Sequence, residues 1–348
     1  MTSRIGQVRW LRSLSGVVQG HLRLPLLRTG LCTGLFEELR EPRDASELAE
    51  RLELAPDLVA SWLRAAEAHR LIRCKEGKYQ IGGFVRWLLD AEEVPAIRAL
   101  LDQTALTYAP RLDQISELME GAERPEFGAS EEALRTAAVS RLMERHAIAA
   151  LARVPGVRAA RRVLDIGCGQ GTYLAGVLTH YRDAHGLGIE LNPSVAEEAR
   201  RTLREAQVSR RGEIRVGDFM TLDLAEGSYD LALLNNLIYY FSREQRRALF
   251  ERVSGCLAGH GVFAIQTTIA AADRVTRALG VDRSTATFDL VLRAHRNLYG
   301  LPDPEEVFSD LREAGFEEMG QISIGPGGSL RYLWARTGSP QRARQPVR

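Results

Sequence analysis

The residues that could do chemistry cluster first in a glycine-rich segment, Val163-Leu-Asp-Ile-Gly-Cys-Gly-Gln-Gly-Thr-Tyr-Leu174. A strand pattern ends at Asp165, three glycines follow at alternate positions, and a helix pattern begins near Thr172. Glycine lets the backbone take positive φ and approach a ligand closely. A carboxylate before the first glycine would repel a pyrophosphate but suits the ammonium group of an amino-acid moiety. The segment therefore predicts a ligand-binding turn.

Two further acidic residues follow the next strand patterns. Glu190 ends the second, in Gly186-Leu-Gly-Ile-Glu-Leu-Asn192, and can accept hydrogen bonds from both hydroxyls of a ribose. Asp218 follows the third, in Val216-Gly-Asp-Phe219, and can accept one from the exocyclic amine of an adenine. Open α/β sheets bind ligands at the carboxyl ends of their strands. The three acids together predict a site for an adenosine that carries an amino-acid moiety.

A nicotinamide cofactor is the alternative for such a turn. The glycine spacing is GxGxG rather than GxGxxG, so the third glycine comes too early for that fingerprint. The segment and its two companion acids instead resemble the cofactor motifs of class I methyltransferases. The resemblance implies S-adenosyl-L-methionine, held by Asp165, Gly167, Cys168, Gly169, Glu190, Leu191, Asp218, Phe219 and Asn235.

The elements that must position these residues are short apolar strands alternating with amphipathic helices. That alternation predicts parallel β-α units and an α/β, Rossmann-like, doubly wound sheet. The predicted strands are Val163–Ile166, Gly186–Ile189, Glu213–Val216, Tyr229–Leu234, Gly261–Gln266 and, as an antiparallel finish, Phe316–Ile324 and Ser329–Ala335.

The N-terminal region is predicted to be almost entirely helical. Leu22–Leu39 has apolar residues at helical spacing but is interrupted at Pro25, and Asp44–Leu52 is a short amphipathic helix. A second helix covers Leu58–His69, and a β-hairpin follows with its turn at Glu76-Gly77. Helix, helix and hairpin in this order are typical of a winged helix.

Together these features resemble bacterial and plant small-molecule O-methyltransferases that carry an N-terminal winged-helix domain. The resemblance implies a homodimer formed through that domain, and a small specialised-metabolite acceptor, of the kind made in antibiotic biosynthesis, that enters between the domains. The predicted domains are a dimerisation domain at 1–105, a helical connector at 106–155, a methyltransferase domain at 156–336 and a disordered tail at 337–348.

One position departs from this family. Relatives follow the fourth strand with Leu-His-Asp-Trp, whose histidine is the general base, but here Tyr239 occupies the histidine position. A neutral tyrosine is a poor base near pH 7, but it can donate a hydrogen bond or orient the acceptor, so Tyr239 is predicted as a catalytic residue in that role. His295 and His146 are alternative bases. Equally, the acceptor could need none, being a carboxylate, an amine, an acidic hydroxyl or a carbon nucleophile, or positioning alone could suffice.

The acceptor pocket of relatives also indicates candidate contact residues. We predict substrate contacts from Tyr108, Met143, Tyr240, Thr267, Phe288 and Tyr299. No set of His, Cys and carboxylate residues has the spacing of metal ligands, so no metal is predicted.

The composition of the whole chain narrows the remaining possibilities. The 348 residues include 46 basic and 45 acidic ones, a balance that predicts no general attraction to nucleic acid or to a membrane. Four separated cysteines and no long apolar stretch predict a cytoplasmic protein without disulfides. The prediction is methyl transfer to a small molecule, most simply to oxygen. Nitrogen or carbon methylation is the alternative, and a cofactor-binding regulator or a DNA-binding sensor are rivals from other classes.

Overall fold

A computed structural model describes residues 4–92, 94–128, 130–270, 278, 280–325 and 328–338. The chain forms two compact units, one up to Pro110 and one from Arg111 onward. No helix in the described ranges is long and apolar enough to cross a membrane.

The first unit consists of helices and one hairpin. Its elements are α1 (Arg4–Cys32), α2 (Leu35–Glu38), α3 (Ala45–Arg51), α4 (Pro56–Ala68), β1 (Ile72–Lys75), β2 (Lys78–Ile81), α5 (Gly83–Asp90), α6 (Val94–Gln103) and a π-helical turn (Thr104–Tyr108), with α7 (Ala109–Asp113) running past residue 110. Glu76 and Gly77 have φ of 52° and 77°, as a two-residue type I′ turn requires.

The interruption predicted at Pro25 is wrong, because α1 continues through this residue to Cys32. Pro25 lies on the exposed side of the helix, so its missing N–H leaves only one solvent-facing carbonyl without an intrahelical donor. Leu27 and Leu31, two and six residues later, are buried in the core of the first unit and hold the last turns of the helix in place.

The second unit is built on a seven-stranded sheet covered by helices. Its strands are β3 (Arg162–Ile166), β4 (His185–Glu190), β5 (Gly212–Val216), β6 (Tyr229–Asn235), β7 (Leu257–Thr268), β8 (Phe316–Ser323) and β9 (Leu330–Thr337). Its helices are α8 (Ile115–Met119), α9 (Ser130–Ser140), α10 (Glu144–Leu151), α11 (Thr172–His180), α12 (Pro193–Glu205), α13 (Arg243–Cys256), α14 (Val281–Arg293) and α15 (Pro304–Glu313), with 3₁₀ turns at Arg141–Met143, Val157–Ala159 and Ile238–Tyr240.

The strand order is β5-β4-β3-β6-β7-β9-β8. Neighbours from β5 to β7 pair in parallel, and β9 pairs antiparallel with both β7 and β8. The predicted seven-stranded α/β fold with an antiparallel finish is thus confirmed. Thr337, the first residue of the predicted tail, belongs to β9, and its hydroxyl donates to the carbonyl of Ala258 at 2.8 Å. Residues 339–348 lie outside the described ranges.

Alternate residues along each strand face two separate apolar cores. Val163, Leu231 and Leu233 pack with α10, α11 and α12 on one face. Leu164 and Ala232 pack with α13, α14 and α15 on the other. Strands that are buried on both faces carry nearly continuous apolar sequences. Because helices cover both faces of the sheet, its polar side chains lie mainly at the strand ends.

An ion pair joins α13 to α15 beside the second core. Asp310 is fully buried and accepts hydrogen bonds from Arg246 Nε at 3.0 Å and Nη2 at 2.6 Å. Arg243 Nε and Arg247 Nε lie 3.3 and 3.1 Å from its other oxygen. Burial pushes the pKa of Asp310 upward, but the hydrogen bonds from Arg246 and Arg247 outweigh it, and the net pKa is lowered.

Candidate active site

The sheet has a switch point between β3 and β6, where the strand order reverses direction. Ligands of open α/β sheets bind beside such a point, at the carboxyl ends of the strands. Asp165 lies near the end of β3 and Asn235 is the last residue of β6. The Asn235 Nδ2 donates to Asp165 Oδ1 at 3.2 Å, so the two strand ends are joined by polar side chains.

Asp165 is 1% exposed, and its second oxygen, Oδ2, is buried with no hydrogen-bond partner. Burial raises the pKa of Asp165 to about 7; the hydrogen bond from Asn235 opposes this shift and the charge of Glu190 adds to it. Native proteins rarely leave a buried polar atom unsatisfied. A positively charged hydrogen-bond donor would supply what this oxygen lacks.

The glycine-rich loop after β3 has the strained backbone that only glycine tolerates well. Gly167, Gly169 and Gly171 have φ of 63°, 54° and 73°. A Cβ on Gly167 would lie 2.4 Å from Leu237 Cδ2, so a side chain there would also clash. Cys168 between them is buried, and burial raises the pKa of its thiol well above the ordinary value. The loop is thus fixed by its backbone, and Cys168 remains a neutral packing residue.

Glu190 ties this loop to the end of β4. Its Oε2 accepts from the N–H of Gly169 and its Oε1 accepts from the N–H of Asn192, both at 3.0 Å. Each carboxylate oxygen has a further lone pair, so two more donors can bind while these contacts persist. The arrangement suits a pair of neighbouring hydroxyl groups.

The residues predicted for the adenine divide into two groups. Leu191 is 70% exposed and Asp218 is exposed with Oδ1 accepting from the N–H of Met220, so both side chains are accessible. The Phe219 side chain, predicted beside the adenine, lies in the core. Its ring is 5% exposed, packs in the second core and lies 5.2 Å beneath the Arg252 guanidinium. Its apolar ring follows the core face, and only its backbone remains beside Asp218.

Tyr239, the residue at the family's histidine position, is held inside the second unit. It is 4% exposed, and its hydroxyl oxygen accepts from the N–H of Thr268 at 2.6 Å and lies 3.0 Å from Thr267 Oγ1. Burial raises its pKa. The Phe288 ring packs edge-on against the Tyr239 ring, with the ring centroids 5.4 Å apart, and the backbone N–H of Tyr299 donates to the carbonyl of Tyr239. Of two residues predicted to contact the substrate, Thr267 is fully buried, whereas Tyr299 is 42% exposed.

His295 has a defined tautomer. Its Nδ1 lies 2.8 Å from the carbonyl of Val291, and because a carbonyl only accepts, Nδ1 carries the hydrogen and Nε2 the lone pair. The ring is 1% exposed and Nε2 has no partner. Burial lowers the pKa of His295, with Arg111 lowering it further and the backbone hydrogen bond and Glu132 opposing. The ring is therefore neutral near pH 7, with its basic nitrogen unused.

Phe127, which the sequence did not predict as a site residue, lies against both His295 and Tyr240. Its ring lies edge-on to His295 at 5.4 Å and to Tyr240 at 6.2 Å. The Asn297 side chain accepts from the Phe127 N–H and donates to the Phe127 carbonyl, both at 2.8 Å, which fixes the backbone of Phe127. Burial and then the charge of Glu190 raise the pKa of Tyr240 to about 12. No local pattern signalled this pairing, because 170 residues separate Phe127 from Asn297.

The remaining predicted residues lie on other elements. His146 is exposed on α10, and Met143 is half-buried in the 3₁₀ turn before it. Tyr108 ends the π-helical turn of the first unit. Among the residues that the structure describes, no group of three His, Cys, Asp or Glu side chains could hold a metal ion.

Comparisons with known proteins agree with this geometry. Residues 163–261 match the family model described as a methyltransferase domain. Demethylspheroidene O-methyltransferase of Cereibacter sphaeroides is 26% identical over 300 residues, which cover 82% of this chain and 75% of that one. The chain is an S-adenosylmethionine-dependent methyltransferase.

Solved structures share the methyltransferase fold over nearly the whole chain. Mitomycin 7-O-methyltransferase superposes with a TM-score of 0.77 at 19% identity, covering 95% of this chain and 99% of that one. N,N-8-amino-8-demethyl-D-riboflavin dimethyltransferase of Streptomyces davawensis gives 0.68 at 17% identity, covering 95% and 98%. At these identities the likeness concerns the fold.

The site of this methyltransferase fits S-adenosylmethionine chemically. The unpartnered Oδ2 of Asp165 matches an ammonium group, the Glu190 carboxylate matches a ribose diol, and the exposed Leu191 offers an apolar surface beside Asp218.

Proposed function

We propose that this methyltransferase methylates a small organic molecule, at a hydroxyl group held close to His295. The observation that carries the proposal is the neutral His295 ring with its free Nε2, joined through Phe127 to Tyr240 and thus to the surroundings of Glu190. The O-methyltransferases among its relatives and structural neighbours support the same acceptor class.

The residues at the strand ends are proposed to bind the cofactor in three parts. Asp165 and the glycine loop hold the methionine part, Glu190 accepts from the ribose hydroxyls, and Leu191 with Asp218 contacts the adenine. When bound, S-adenosylmethionine would supply a methyl group whose carbon an acceptor lone pair can attack, while the C–S bond breaks and the positively charged sulfur leaves as a neutral thioether. The protein must then orient the acceptor in line with that bond.

His295 is proposed as the proton acceptor in place of the family's histidine. A phenol has a pKa near 10, so a neutral imidazole assists its ionisation at pH 7. Tyr239 does not suit this role, since its oxygen already accepts from Thr268. His146 is exposed on α10, whereas His295 is buried and oriented by its hydrogen bond to the carbonyl of Val291.

Nitrogen methylation is a second candidate. It is favoured because Tyr239 occupies the position of the histidine that serves as general base in related O-methyltransferases. A neutral amine attacks with its own lone pair and needs no base before the transfer. The riboflavin-analogue dimethyltransferase with a similar fold acts on such a nitrogen, as its name states.

The first unit is proposed to pair with a second copy of the chain. Along α1, apolar side chains that recur at helical spacing are 46–72% exposed, and they are Trp10, Leu11, Leu14, Val17, Val18 and Leu22. Exposed apolar surface of this extent is typical of protein–protein interaction sites. The oligomeric state in solution, measured by light scattering for the whole chain and for a Leu14→Glu variant, tests this proposal. A monomer in both would contradict it.

The acceptor class is tested by transfer of labelled methyl groups into a fractionated extract of the source organism. Label in small molecules, with mass spectrometry placing it on oxygen, is the expected result. Label on nitrogen would favour the second candidate, and label only in macromolecules would contradict the proposal. Cofactor binding without any labelled product would instead favour a regulator.

A further inference from the structure

A buried network of polar side chains lies behind Asp165. It consists of Asp165, Asn235, Tyr332, Gln266 and Tyr173, and we call it the polar network. Tyr332 Oη lies 3.5 Å from Asn235 Oδ1 and 3.4 Å from Gln266 Oε1. Gln266 Nε2 donates to the Tyr173 hydroxyl at 2.8 Å. The network therefore starts at the carboxylate and reaches Tyr173 on α11, whose hydroxyl lies 3.4 Å from the carbonyl of Ser140. Each member of the network is on a different element.

The inner members of the network are almost fully buried. Tyr332 is fully buried, Gln266 is 1% exposed and Tyr173 is 6% exposed. Burying hydroxyl and amide groups in an apolar core costs free energy unless they are hydrogen-bonded, and apolar side chains would fill the same space at no such cost. All members of the network are joined by hydrogen bonds, directly or through one another, to the Asp165 carboxylate, which indicates that they act on this group.

The donors and acceptors of the network fix the orientation of Asn235. A carboxylate only accepts, so the amide presents Nδ2 to Asp165 and therefore Oδ1 to Tyr332. Gln266 likewise donates through Nε2 to Tyr173 and presents Oε1 to Tyr332. The single hydrogen of the Tyr332 hydroxyl is thus shared between two acceptors, and Tyr332 holds Asn235 as a donor to Asp165.

We propose that Asn235 and Tyr332 are positioning residues that keep Asp165 able to give up a proton when the cofactor's ammonium group binds, so that cofactor binding releases a proton. The proposal rests on the assignment of Asp165 to the methionine part under Proposed function. The O–H bond of the carboxylic acid breaks, the proton goes to the solvent, and the carboxylate remains as the partner of the ammonium.

The groups around Asp165 leave it as the site of this proton exchange. Burial raises the pKa of Cys168, of Tyr173 and of Tyr332, so these three remain neutral. Glu190 adds negative charge and favours the protonated acid. Asn235 favours the carboxylate. These opposing effects leave the pKa of Asp165 at about 7. A cation bound beside the carboxylate therefore needs to lower this pKa only moderately for Asp165 to lose its proton near neutral pH.

The pH dependence of binding follows from this balance. Below about pH 7 the empty enzyme holds the proton on Asp165, and the ammonium must displace it. Affinity then falls by up to about tenfold per pH unit as the pH decreases. Above about pH 8 the acid is already ionised, and the affinity no longer depends on this group.

Calorimetry with S-adenosylhomocysteine tests the proposal without an acceptor. This product carries the same ammonium group and is not turned over. Titrations at pH 6, 7 and 8 in buffers of different ionisation enthalpy give the number of protons exchanged. We expect about one proton released at pH 6 and close to none at pH 8. 5′-Methylthioadenosine, which lacks the amino-acid part, serves as the matched ligand and should release none.

Tyr332→Phe tests the network itself. Without the hydroxyl, Asn235 is held less well as a donor, so the midpoint of the affinity-against-pH curve should move up, by about 0.5 unit, with affinity at pH 8 lowered less than at pH 6. Tyr229→Phe, at the other end of β6, is the matched control and should leave the midpoint unchanged. Equal loss at every pH in Tyr332→Phe would reduce Tyr332 to a packing residue.

The wild-type titrations decide the matter even where a variant fails to fold. Affinity for S-adenosylhomocysteine that stays constant from pH 6 to pH 8, without proton release, would overturn the proposal while leaving the cofactor site intact. No binding at any pH would instead contradict the cofactor assignment on which it rests.

Discussion

The hydroxyl of Tyr239 accepts a hydrogen bond from the backbone N–H of Thr268 at 2.6 Å, and so fastens the 3₁₀ turn after β6 to the end of β7. We expect Tyr239→Phe to lower the free energy of unfolding by about 1–3 kcal/mol, because the Thr268 N–H is left unsatisfied. Binding of S-adenosylhomocysteine should be unchanged. Thermal unfolding and calorimetry measure both quantities, and loss of methyl transfer with normal folding would restore a chemical role to Tyr239.

Glu190 should dominate recognition of the ribose. Glu190→Ala removes the acceptor for both hydroxyls and releases the backbone N–H groups of Gly169 and Asn192. At about 1.5–3 kcal/mol for each hydrogen bond to a charged group, the affinity for S-adenosylhomocysteine should fall at least about 100-fold. Glu197→Ala, an exposed acid on α12, is the control. Equal affinity in the two variants would remove the ribose assignment.

Asp165→Asn should separate stability from function. The raised pKa of Asp165 means that the folded protein binds a proton more tightly than the unfolded chain, so this group makes the protein less stable as pH rises from about 4 to 7. The neutral amide lacks that penalty, and the variant should be more stable at pH 8 by about 1–4 kcal/mol. Its affinity for S-adenosylhomocysteine should nevertheless collapse. Urea unfolding of the ligand-free protein checks the first part, and lower stability at pH 8 would contradict it.

His295 should make the stability of the folded protein depend on pH in the mildly acidic range. Because burial lowers its pKa, the unfolded chain binds a proton below about pH 6.5 that the folded state resists, and stability should fall as the pH decreases through this range. His295→Asn should remove this fall. Once an acceptor is identified, the variant should also lose at least about 100-fold in turnover without a change in cofactor affinity. His146→Asn, on exposed α10, is the comparison variant, and an equal effect there would contradict the base assignment.

The buried ion pair should be the most sensitive structural site. Asp310→Ala leaves Arg246 buried without its partner and should cost about 3–5 kcal/mol of stability. Since the pKa of Asp310 is lowered, this contribution is present above about pH 4 and disappears in acid. Unfolding followed at pH 7 and pH 3 measures the difference. Glu313→Ala, whose contact with Arg247 is half-exposed, should change stability by less than about 1 kcal/mol.

Much of the second unit could be predicted because its signals are local. Each apolar strand is short, each is followed by an amphipathic helix, and the acids Asp165, Glu190 and Asp218 mark strand ends directly in the sequence. The strand limits then differ from the prediction by a few residues at most; β7, for example, begins at Leu257 rather than at Gly261.

What the sequence did not predict depends on contacts between distant segments. Phe127 lies in a polar loop, and only its pairing with Asn297 brings it beside His295. Phe219 follows an exposed acid, yet its ring turns into the core beneath Arg252. Pro25 indicates a helix break by its type, but burial of Leu27 and Leu31 keeps α1 continuous.

The order in which the chain is synthesised gives the Tyr332 contact a further meaning. Asn235 meets Tyr332 from a strand made 97 residues later, so a ribosome delivers the glycine loop, Glu190 and Asn235 well before it delivers β9. During that interval Asp165 has its carboxamide donor but not the hydroxyl that holds the donor in place. The emerging chain would then bind its cofactor poorly until β9 joins the sheet, and the ligand would stabilise finished molecules in preference to incomplete ones.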